Sequence, residues 1–589
     1  MWDAFFSILA LIGGLGLFLY GMDVMGDSLK KLAGGKLEMI LSKLTSNVFK
    51  GLLLGFGVTA IIQSSSATTV MLVGFVNSGI MHLGQTISII MGANIGTTVT
   101  AWLLSLNGIS DGAGNILKLF KPSSFTPILI AVGVIMTMVC KSDKKKNVAS
   151  ILIGFAVLMF GMDAMSDAMA FLKDSKTFKD ILIMFQNPVL GVLAGTILTA
   201  IIQSSSASVG ILQALSGTLA IPFSTAIPII LGQNIGTTIT PILSAITGNT
   251  ESKRVAMACL YIKIIGVVIV GGLFAVLQSI FSFSFMEPGV HVNQLTIAFV
   301  HTAFNILSTI ILVPFCKLIA NLSIKTVKGK KNEKTSRFDI LDDRFLDIPS
   351  FAVEKCRELM CEMAKEAEES VEDANKLLQK YDKELVRKVR ESEDLVDIYE
   401  DRIGTYLVKL AGKNLSEADS RIVSELLHCI GDIERISDHA AGITKAVEEL
   451  HEKQIAFSDS AQKELHVIAN AVGEVMSLAT TSFLTEDLEM AKRVEPLEQV
   501  IDRLKSKIKA NHIVRLQQGN CSIEMGFILS DLLNNYVRIS AHCSNVAVCL
   551  LEISNGTFGT HEYLSNMKNS EDDLSFKERY AYFKQKYIL

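Results

Sequence analysis

The chain has 589 residues, a mean hydropathy of +0.40 and a formal net charge of −4, but these averages join two unlike parts. Up to residue 321 the segments are long and apolar, with 18 Lys+Arg and 12 Asp+Glu gathered mostly between them; the remainder carries 37 and 47 and reads as charged, soluble helix. That division excludes a single soluble globule, and the nine cysteines, odd in number and without paired spacing, argue against a disulfide scaffold and for a reducing cytosol around the tail.

Apolar runs long enough to span a bilayer lie near residues 4–26, 84–105, 124–140, 148–171, 225–248, 254–281 and 294–320, the third being the shortest. The first continues into Gly21-Met22-Asp23 and lacks a basic leader, so no cleavable signal peptide is expected. Residues 48–62 and 67–80, and likewise 188–202 and 207–221, form shorter apolar arms around a polar cluster. Such arms suit re-entrant hairpins, whose irregular tips are tolerated only where they line a protein cavity.

Basic residues orient the chain. Lys30, Lys31 and Lys36 follow the first run, Lys141, Lys144, Lys145 and Lys146 the third, and Lys325, Lys328, Lys330 and Lys331 the last. With each hairpin returning to its own side, all three groups share one face, which the positive-inside tendency makes cytoplasmic. The soluble tail is then cytoplasmic, although Lys173, Lys176 and Lys179 land outside, interspersed with Asp174 and Asp180.

The two hairpins carry one text. Thr59-Ala60-Ile61-Ile62-Gln63-Ser64-Ser65-Ser66-Ala67 recurs as Thr199-Ala200-Ile201-Ile202-Gln203-Ser204-Ser205-Ser206-Ala207, 140 residues on. The same offset relates Asn94-Ile95-Gly96-Thr97-Thr98 to Asn234-Ile235-Gly236-Thr237-Thr238 and Gly21-Met22-Asp23 to Gly161-Met162-Asp163. Three spans separate matching points, an odd number, so the repeats are inverted. Inverted repeats with broken helices meeting in mid-membrane are the architecture of secondary transporters.

The clusters supply the chemistry. Gln63, Ser64, Ser65, Ser66, Thr68 and Thr69 in one repeat, and Gln203, Ser204, Ser205, Ser206 and Ser208 in the other, offer hydroxyls, an amide and the N–H groups of a helix start. A helix N-terminus favours an oxyanion, and hydroxyl oxygens also coordinate a small hard cation such as Na+. Neither cluster contains Lys or Arg, so a bound anion needs co-bound cations, which points to symport. Single Ser or Thr residues usually serve helix packing, but two identical clusters in apolar surroundings are too costly to bury without a partner. Asn94, Thr97 and Thr98, with Asn234, Thr237 and Thr238, sit in breaks whose glycines at 92, 96, 232 and 236 either allow close helix approach or expose carbonyls for a cation. Asp23, Asp27, Asp163 and Asp167 read as solvated acids at helix ends, and Lys263 as a lysine reaching back to the interface.

Paired Gln-Ser-Ser-Ser-Ala segments, each followed by Gly-x-Asn-Ile-Gly-Thr-Thr, resemble the type II sodium/phosphate cotransporter family over residues 1–321. The resemblance implies that Gln63 to Ser66 and Gln203 to Ser206 form the central phosphate and sodium site, and it is the main ground for Na+ rather than protons. His301-Thr302-Ala303-Phe304-Asn305 matches a family element of the form His-x-x-Phe-Asn. A related element often follows Lys/Arg-Arg-x-Ala, here Lys253-Arg254-Val255-Ala256, but Cys259 and Lys263 take its His and Asn places. That departure makes the 254–281 segment either structural or altered in coupling.

Beyond Asp342, apolar residues recur at helical spacing, as in Leu385, Val389, Leu395, Tyr399, Ile403 and Leu407, and predict six long helices in two sets of three joined near 450–457. Glu393 and Asp397 align with Glu498 and Asp502, and Arg435-Ile436-Ser437-x-His439 with Arg538-Ile539-Ser540-x-His542. Asp432 to His439 resembles the signature of PhoU-like regulators, paired three-helix bundles, which implies Glu393, Asp397, Glu434, Asp438, Glu498 and Asp502 as metal ligands. Val537 and Ala541 stand where the second copy needs its acids, and i,i+4 acids are otherwise a solvated face.

The expected protein is all-α: a polytopic membrane domain over 1–321 (repeats about 1–140 and 141–321), a linker over 322–341, a cytoplasmic PhoU-like domain over 342–560 and a tail over 561–589. The expected function is Na+-coupled symport of inorganic phosphate across the cell membrane by alternating access, with a phosphate exporter or facilitator and a membrane-tethered sensor as rivals. No nucleotide loop or catalytic triad is present, so enzymatic function is not expected. Expected partners are phosphate, sodium ions and membrane lipid, not nucleic acid, and a homodimer is left open.

Overall fold

The computed structural model describes residues 2–33, 47–108, 122–170, 180, 182–287, 289–329, 337–413, 415–555 and 572–589. Lys36, Lys173, Lys176, Lys179, Asp174, Lys330, Lys331 and parts of the expected linker and C-terminal tail lie outside the described residues. The chain divides into two compact units, Met1–Phe351 and Ala352–Leu589. Among the described residues the elements are helical, apart from an isolated bridge between Pro222 and His291.

The first unit begins with α1 (Trp2–Ala33), the hairpin α2 (Val48–Ile62) and α3 (Ser65–Asn77), then α4 (Leu83–Gly96) and α5 (Thr98–Ser105), α6 (Pro122–Val139) and α7 (Asp143–Ala168). The order recurs as α8 (Pro188–Ile202) and α9 (Ser205–Thr218), α10 (Phe223–Gly236) and α11 (Ile239–Ala245), α12 (Thr250–Phe281), α13 (Gln294–Leu312) and α14 (Cys316–Thr326). Side-chain caps fix the starts: Asn47 accepts from Phe49 N, Asn187 from Val189 N ahead of Pro188, and Asn249 from Ser252 N. Among the described residues, six stretches of this unit are long and apolar enough to cross a membrane; α6 falls among the shorter apolar helices. Outward faces are apolar, with Met138, Val189, Ile201, Val268 and Ile280 each at least 66% exposed. Such a surface is a liability in water and suits a lipid solvent.

Close contacts define the relation between the repeats. A Cβ on Gly21 would lie 2.3 Å from Leu158 N, and one on Gly161, its equivalent, 2.3 Å from Phe18 N, which is the equivalent of Leu158. Gly14 against Met165 is answered in the same way by Gly154 against Met25. Reciprocal pairing of this kind is the mark of a two-fold axis. The contacts run from 14 to 21 on α1 as they run from 165 to 158 on α7, so these equivalent helices are antiparallel and the repeats inverted. Gly92 and Gly232 are likewise sites of close approach, each with Cβ space closed at 2.0 Å by a carbonyl, of Leu52 and Val192 respectively.

The end of this unit folds back on it. Phe345, within the second of two 3₁₀ turns (Arg337–Ile340 and Asp343–Asp347), is fully buried against Phe75 and Phe351, with ring centroids 5.4 and 4.8 Å away. Asp342 accepts from Asn77 Nδ2 at 2.8 Å and from Arg344 Nε at 2.7 Å.

The second unit contains six long helices, as the periodicity predicts: α15 (Pro349–Gln379, shared across the division), α16 (Lys383–Ala411), α17 (Glu417–Glu452), α18 (Asp459–Thr485), α19 (Leu488–Gln517) and α20 (Ile523–Asn555), followed by α21 (Asp572–Lys586). Although α18 is apolar enough to cross a membrane, it is a core helix here, with Ile468, Val472 and Val475 fully buried. A second approximate two-fold relates the halves. His439 Nδ1 lies 2.9 Å from Asn535 Oδ1, and His542 Nδ1 lies 2.8 Å from Asp432 Oδ1. His542 and Asn535 follow His439 and Asp432 by the same 103 residues, so the pairs exchange partners across the axis.

Candidate functional site

Each Gln-Ser-Ser-Ser segment is the tip of a helical hairpin, built the same way twice. Gln63 (φ 60°) and Gln203 (φ 60°) adopt the left-handed conformation that ends α2 and α8, and their N–H groups return to Thr59 and Thr199. Non-glycine residues enter this region at a cost that surrounding structure must offset. Ser64 and Ser204 then cap α3 and α9, each accepting from the N–H of Ala67 or Ala207 at 3.2 Å. Thr59 Oγ1 donates to Thr68 Oγ1 at 3.0 Å, and Thr199 Oγ1 to Ser208 Oγ at 2.8 Å, stapling the two arms of each hairpin for about 1 kcal/mol each.

The tips meet. Ser66 Oγ donates across the repeats to the Gln203 carbonyl at 3.4 Å. Thr240 Oγ1 reaches the same carbonyl at 3.5 Å, while Thr100 Oγ1 donates to Gln63 Oε1 at 2.8 Å. Gln63 Nε2 donates to the Ala60 carbonyl. Thr69 is tied to the Ser65 carbonyl at 2.8 Å. The hydroxyls of Ser65, Ser205 and Ser206 make no hydrogen bond among the described residues, and they stand in the first turns of α3 and α9, where backbone N–H groups lack helical partners. Here the arrangement offers donors and the positive ends of two helix dipoles to one small volume, suited to an oxyanion.

The Asn-Ile-Gly-Thr-Thr segments are brief interruptions, at Thr97 between α4 and α5 and at Thr237 and Thr238 between α10 and α11. Their hydroxyls are spent locally: Thr97 on Ala93 O, Thr98 on Ile95 O, Thr237 on Asn234 O and Thr238 on Ile235 O, at 2.5 to 3.0 Å. Gln233 Nε2 donates to the Ser208 carbonyl at 2.9 Å and so joins the second break to the second hairpin.

Two readings of single residues change. Lys263 does not reach the interface: it is 7% exposed and donates from Nζ to Asn234 Oδ1 at 3.0 Å. A lysine that lies outside both polar clusters in sequence thus touches a candidate site residue. The substitution of Lys for Asn in the 254–281 segment was the available signal. Asp163, too, is a half-buried acceptor rather than a freely solvated acid, taking Asn107 Nδ2 at 2.6 Å, whereas Asp23, Asp27 and Asp167 are exposed. A further amide, missed by motif reading, lines the interior: Gln213 is fully buried and donates to both Ala101 O and Gln294 O at 2.9 Å, linking the repeats.

In the second unit, carboxylate oxygens of Glu393, Asp397 and Asp438 lie within 4.8 Å of one another. Burial first, and the neighbouring acids second, raise the Glu393, Asp397 and Glu434 carboxyls above their ordinary range. That donor set fits a divalent cation. Among the described residues Glu498 and Asp502 belong to no such group.

The comparisons with known proteins agree in both parts. The Na+/Pi-cotransporter family model matches residues 17–167 and 158–294, and the PhoU domain model residues 360–447 and 465–550. The candidate inorganic phosphate export protein YjbB of Salmonella typhimurium is 24% identical over 553 residues, covering 93% of this chain and 98% of that protein. The uncharacterized protein YqeW of Bacillus subtilis is 30% identical over 254 residues, covering 43% of this chain and 78% of that protein. The sodium-dependent phosphate transport protein 2A of Rattus norvegicus is 39% identical over 104 residues, 17% of this chain and 16% of that protein. The chain is an all-helical membrane protein of the Na+/Pi-cotransporter family that also carries a PhoU domain.

Proposed function

We propose that this protein moves inorganic phosphate across the cell membrane by alternating access, with Na+ as the coupling ion and the two hairpin tips as the binding site. The observation that carries the reading is the contact between tips from inverted repeats, Ser66 Oγ to the Gln203 carbonyl, which places two helix N-termini and the unspent hydroxyls of Ser65, Ser205 and Ser206 together. Rocking of one repeat against the other would open this volume to either side in turn. Gln63, Ser64, Ser65, Ser66, Thr68 and Thr69 with Gln203, Ser204, Ser205, Ser206 and Ser208 form the tips; Asn94, Thr97, Thr98, Asn234, Thr237 and Thr238 support them. The basic loops support a cytoplasmic PhoU-like part, which would bias one transport state through a differential affinity.

Export is the second reading. The full-length likeness to YjbB and the lysine at Asn234 both favour a carrier less dependent on an inward Na+ gradient. Purified protein in proteoliposomes distinguishes the two: radiolabelled phosphate uptake is followed under an inward Na+ gradient and under an equal K+ gradient. Concentrative uptake that needs Na+ and is lost in the Ser65→Ala, Ser205→Ala double variant supports the symporter and its site. Equal flux in both salts sinks Na+ coupling and leaves the facilitated exporter.

A further inference from the structure

The duplicated sequence places Asn94 and Asn234 at equivalent breaks, and both are buried, but their surroundings differ. The Asn94 side chain makes no hydrogen bond among the described residues. At Asn234 both polar side-chain atoms are engaged: Nδ2 donates to the Ile230 carbonyl at 3.0 Å, and Oδ1 accepts from Lys263 Nζ at 3.0 Å. The break is continuous with the proposed phosphate site, because Gln233 is bonded to the Ser208 carbonyl and Thr240 to the Gln203 carbonyl.

Lys263 lies about midway along α12, and among the described residues the titratable groups that interact with it are Cys259, one turn earlier, and His301 on α13. Neither is a carboxylate. His301 is itself 1% exposed, and its Nδ1 has no hydrogen-bond partner among the described residues. A buried ammonium without a protein carboxylate is costly unless an anion reaches it. A free cation at the same break would meet a like charge one hydrogen bond from the amide oxygen it needs, in a weakly screened interior. The residues at this break therefore do not fit Na+.

We propose that the Lys263 ammonium is a resident cation of the transport path: it fills the second-repeat cation position at Asn234, offsets part of the charge of the transported oxyanion, and removes one Na+ from the transport cycle. This rests on the reading of the hairpin tips as a phosphate site. The duplicated site is thereby made unequal, with one half open to Na+ and the other closed to it by a tethered charge.

The test counts sodium. In proteoliposomes of the full chain, radiolabelled Na+ and phosphate fluxes are measured together for the wild type, Lys263→Asn and Lys263→Arg. Lys263→Asn is expected to raise the Na+-to-phosphate ratio by one and to steepen the dependence on Na+, while Lys263→Arg keeps the wild-type ratio. An unchanged ratio in an active Lys263→Asn overturns the proposal. Should that variant carry no flux, equilibrium binding of radiolabelled Na+ to purified, monodisperse protein decides. One more ion bound per chain than in the wild type supports the assignment, and an equal number overturns it. If the wild type itself moves no phosphate, the transport reading fails, yet the number of Na+ ions bound still tests the role of Lys263 by itself.

Discussion

Thr100 donates its hydroxyl to the side-chain oxygen of Gln63 at 2.8 Å, whereas Thr240, its equivalent, reaches only the backbone carbonyl of Gln203, at 3.5 Å. The first bond holds the amide of one tip in place; the second is at the outer limit of a hydrogen bond. Thr100→Val should leave Gln63 Oε1 buried without this donor, at a cost of about 1–2 kcal/mol, which is roughly a tenfold rise in the half-saturating phosphate concentration. Thr240→Val should move it less than about threefold. Flux against phosphate concentration in proteoliposomes checks both, and equal shifts would mean that the two tips are held alike.

A second prediction concerns the fold-back of residues 342–351. Asn77 donates to Asp342 at 2.8 Å and accepts from the Asn249 N–H at 2.8 Å, while Arg344 grips Asp342 through two nitrogens. Asp342 and Arg344 are 7% and 14% exposed at the side chain, so removing one charge strands the other. Asp342→Asn should lower the unfolding free energy by about 2 kcal/mol, and the loss should persist in high salt, since a half-buried pair is poorly screened. A Cβ on Gly74 would sit 2.8 Å from the Phe345 ring, so Gly74→Ala should displace the same segment by another route. Thermal unfolding of the two variants, singly and combined, is expected to show less than additive loss.

The crossing of α1 and α7 makes a third. Gly161 has Phe18 N where a Cβ would stand, 2.3 Å away, whereas Gly16 on the other face of α1 has nothing within 4 Å. Gly161→Ala should therefore remove the folded, monodisperse peak in detergent, and Gly16→Ala should leave it intact. A tolerated Gly161→Ala would show that the crossing relaxes without loss of the fold.

The sites of these predictions differ in how visible they are in the sequence. Gln63 and Gln203 are legible because an identical polar string twice interrupts apolar helix, and only a special backbone explains that. The inverted repeat is legible from parity, and the reciprocal contacts of Gly21 and Gly161 express it in space. Lys263 is legible as a departure from the family pattern, but its partner is not. A lone lysine in an apolar helix reads as one that reaches for water, and its partner Asn234 lies 29 residues earlier, on a helix that only tertiary packing brings opposite. Asp163 is misread for the same reason, since its donor Asn107 is 56 residues away. In the tail, the helical period gives six helices and the i,i+4 spacing gives Glu393 with Asp397. Asp438, four residues after Glu434, completes that group from the next helix, and the i,i+4 spacing within one helix cannot show which acids of two helices meet.

That carboxylate group yields the last prediction. Burial and mutual repulsion raise the Glu393, Asp397 and Glu434 carboxyls, so the folded state holds their protons more tightly than the unfolded chain does. The sign follows: the penalty is absent below the ordinary carboxyl range, grows as pH rises from there through the raised folded-state values, and is fully present above them. A divalent cation at neutral pH should relieve the same repulsion. Mn2+ is therefore expected to raise the unfolding temperature of the full chain at pH 7 and to have progressively less effect as the pH falls toward about 4, where the carboxyls take up protons. Asp397→Asn removes one like-charged i,i+4 neighbour, so it should be more stable than the wild type without metal, by about 0.3 kcal/mol, and should lose most of the Mn2+ response. A wild type indifferent to Mn2+ at pH 7, together with an unshifted Asp397→Asn, would mark the group as solvated surface acids and nothing more.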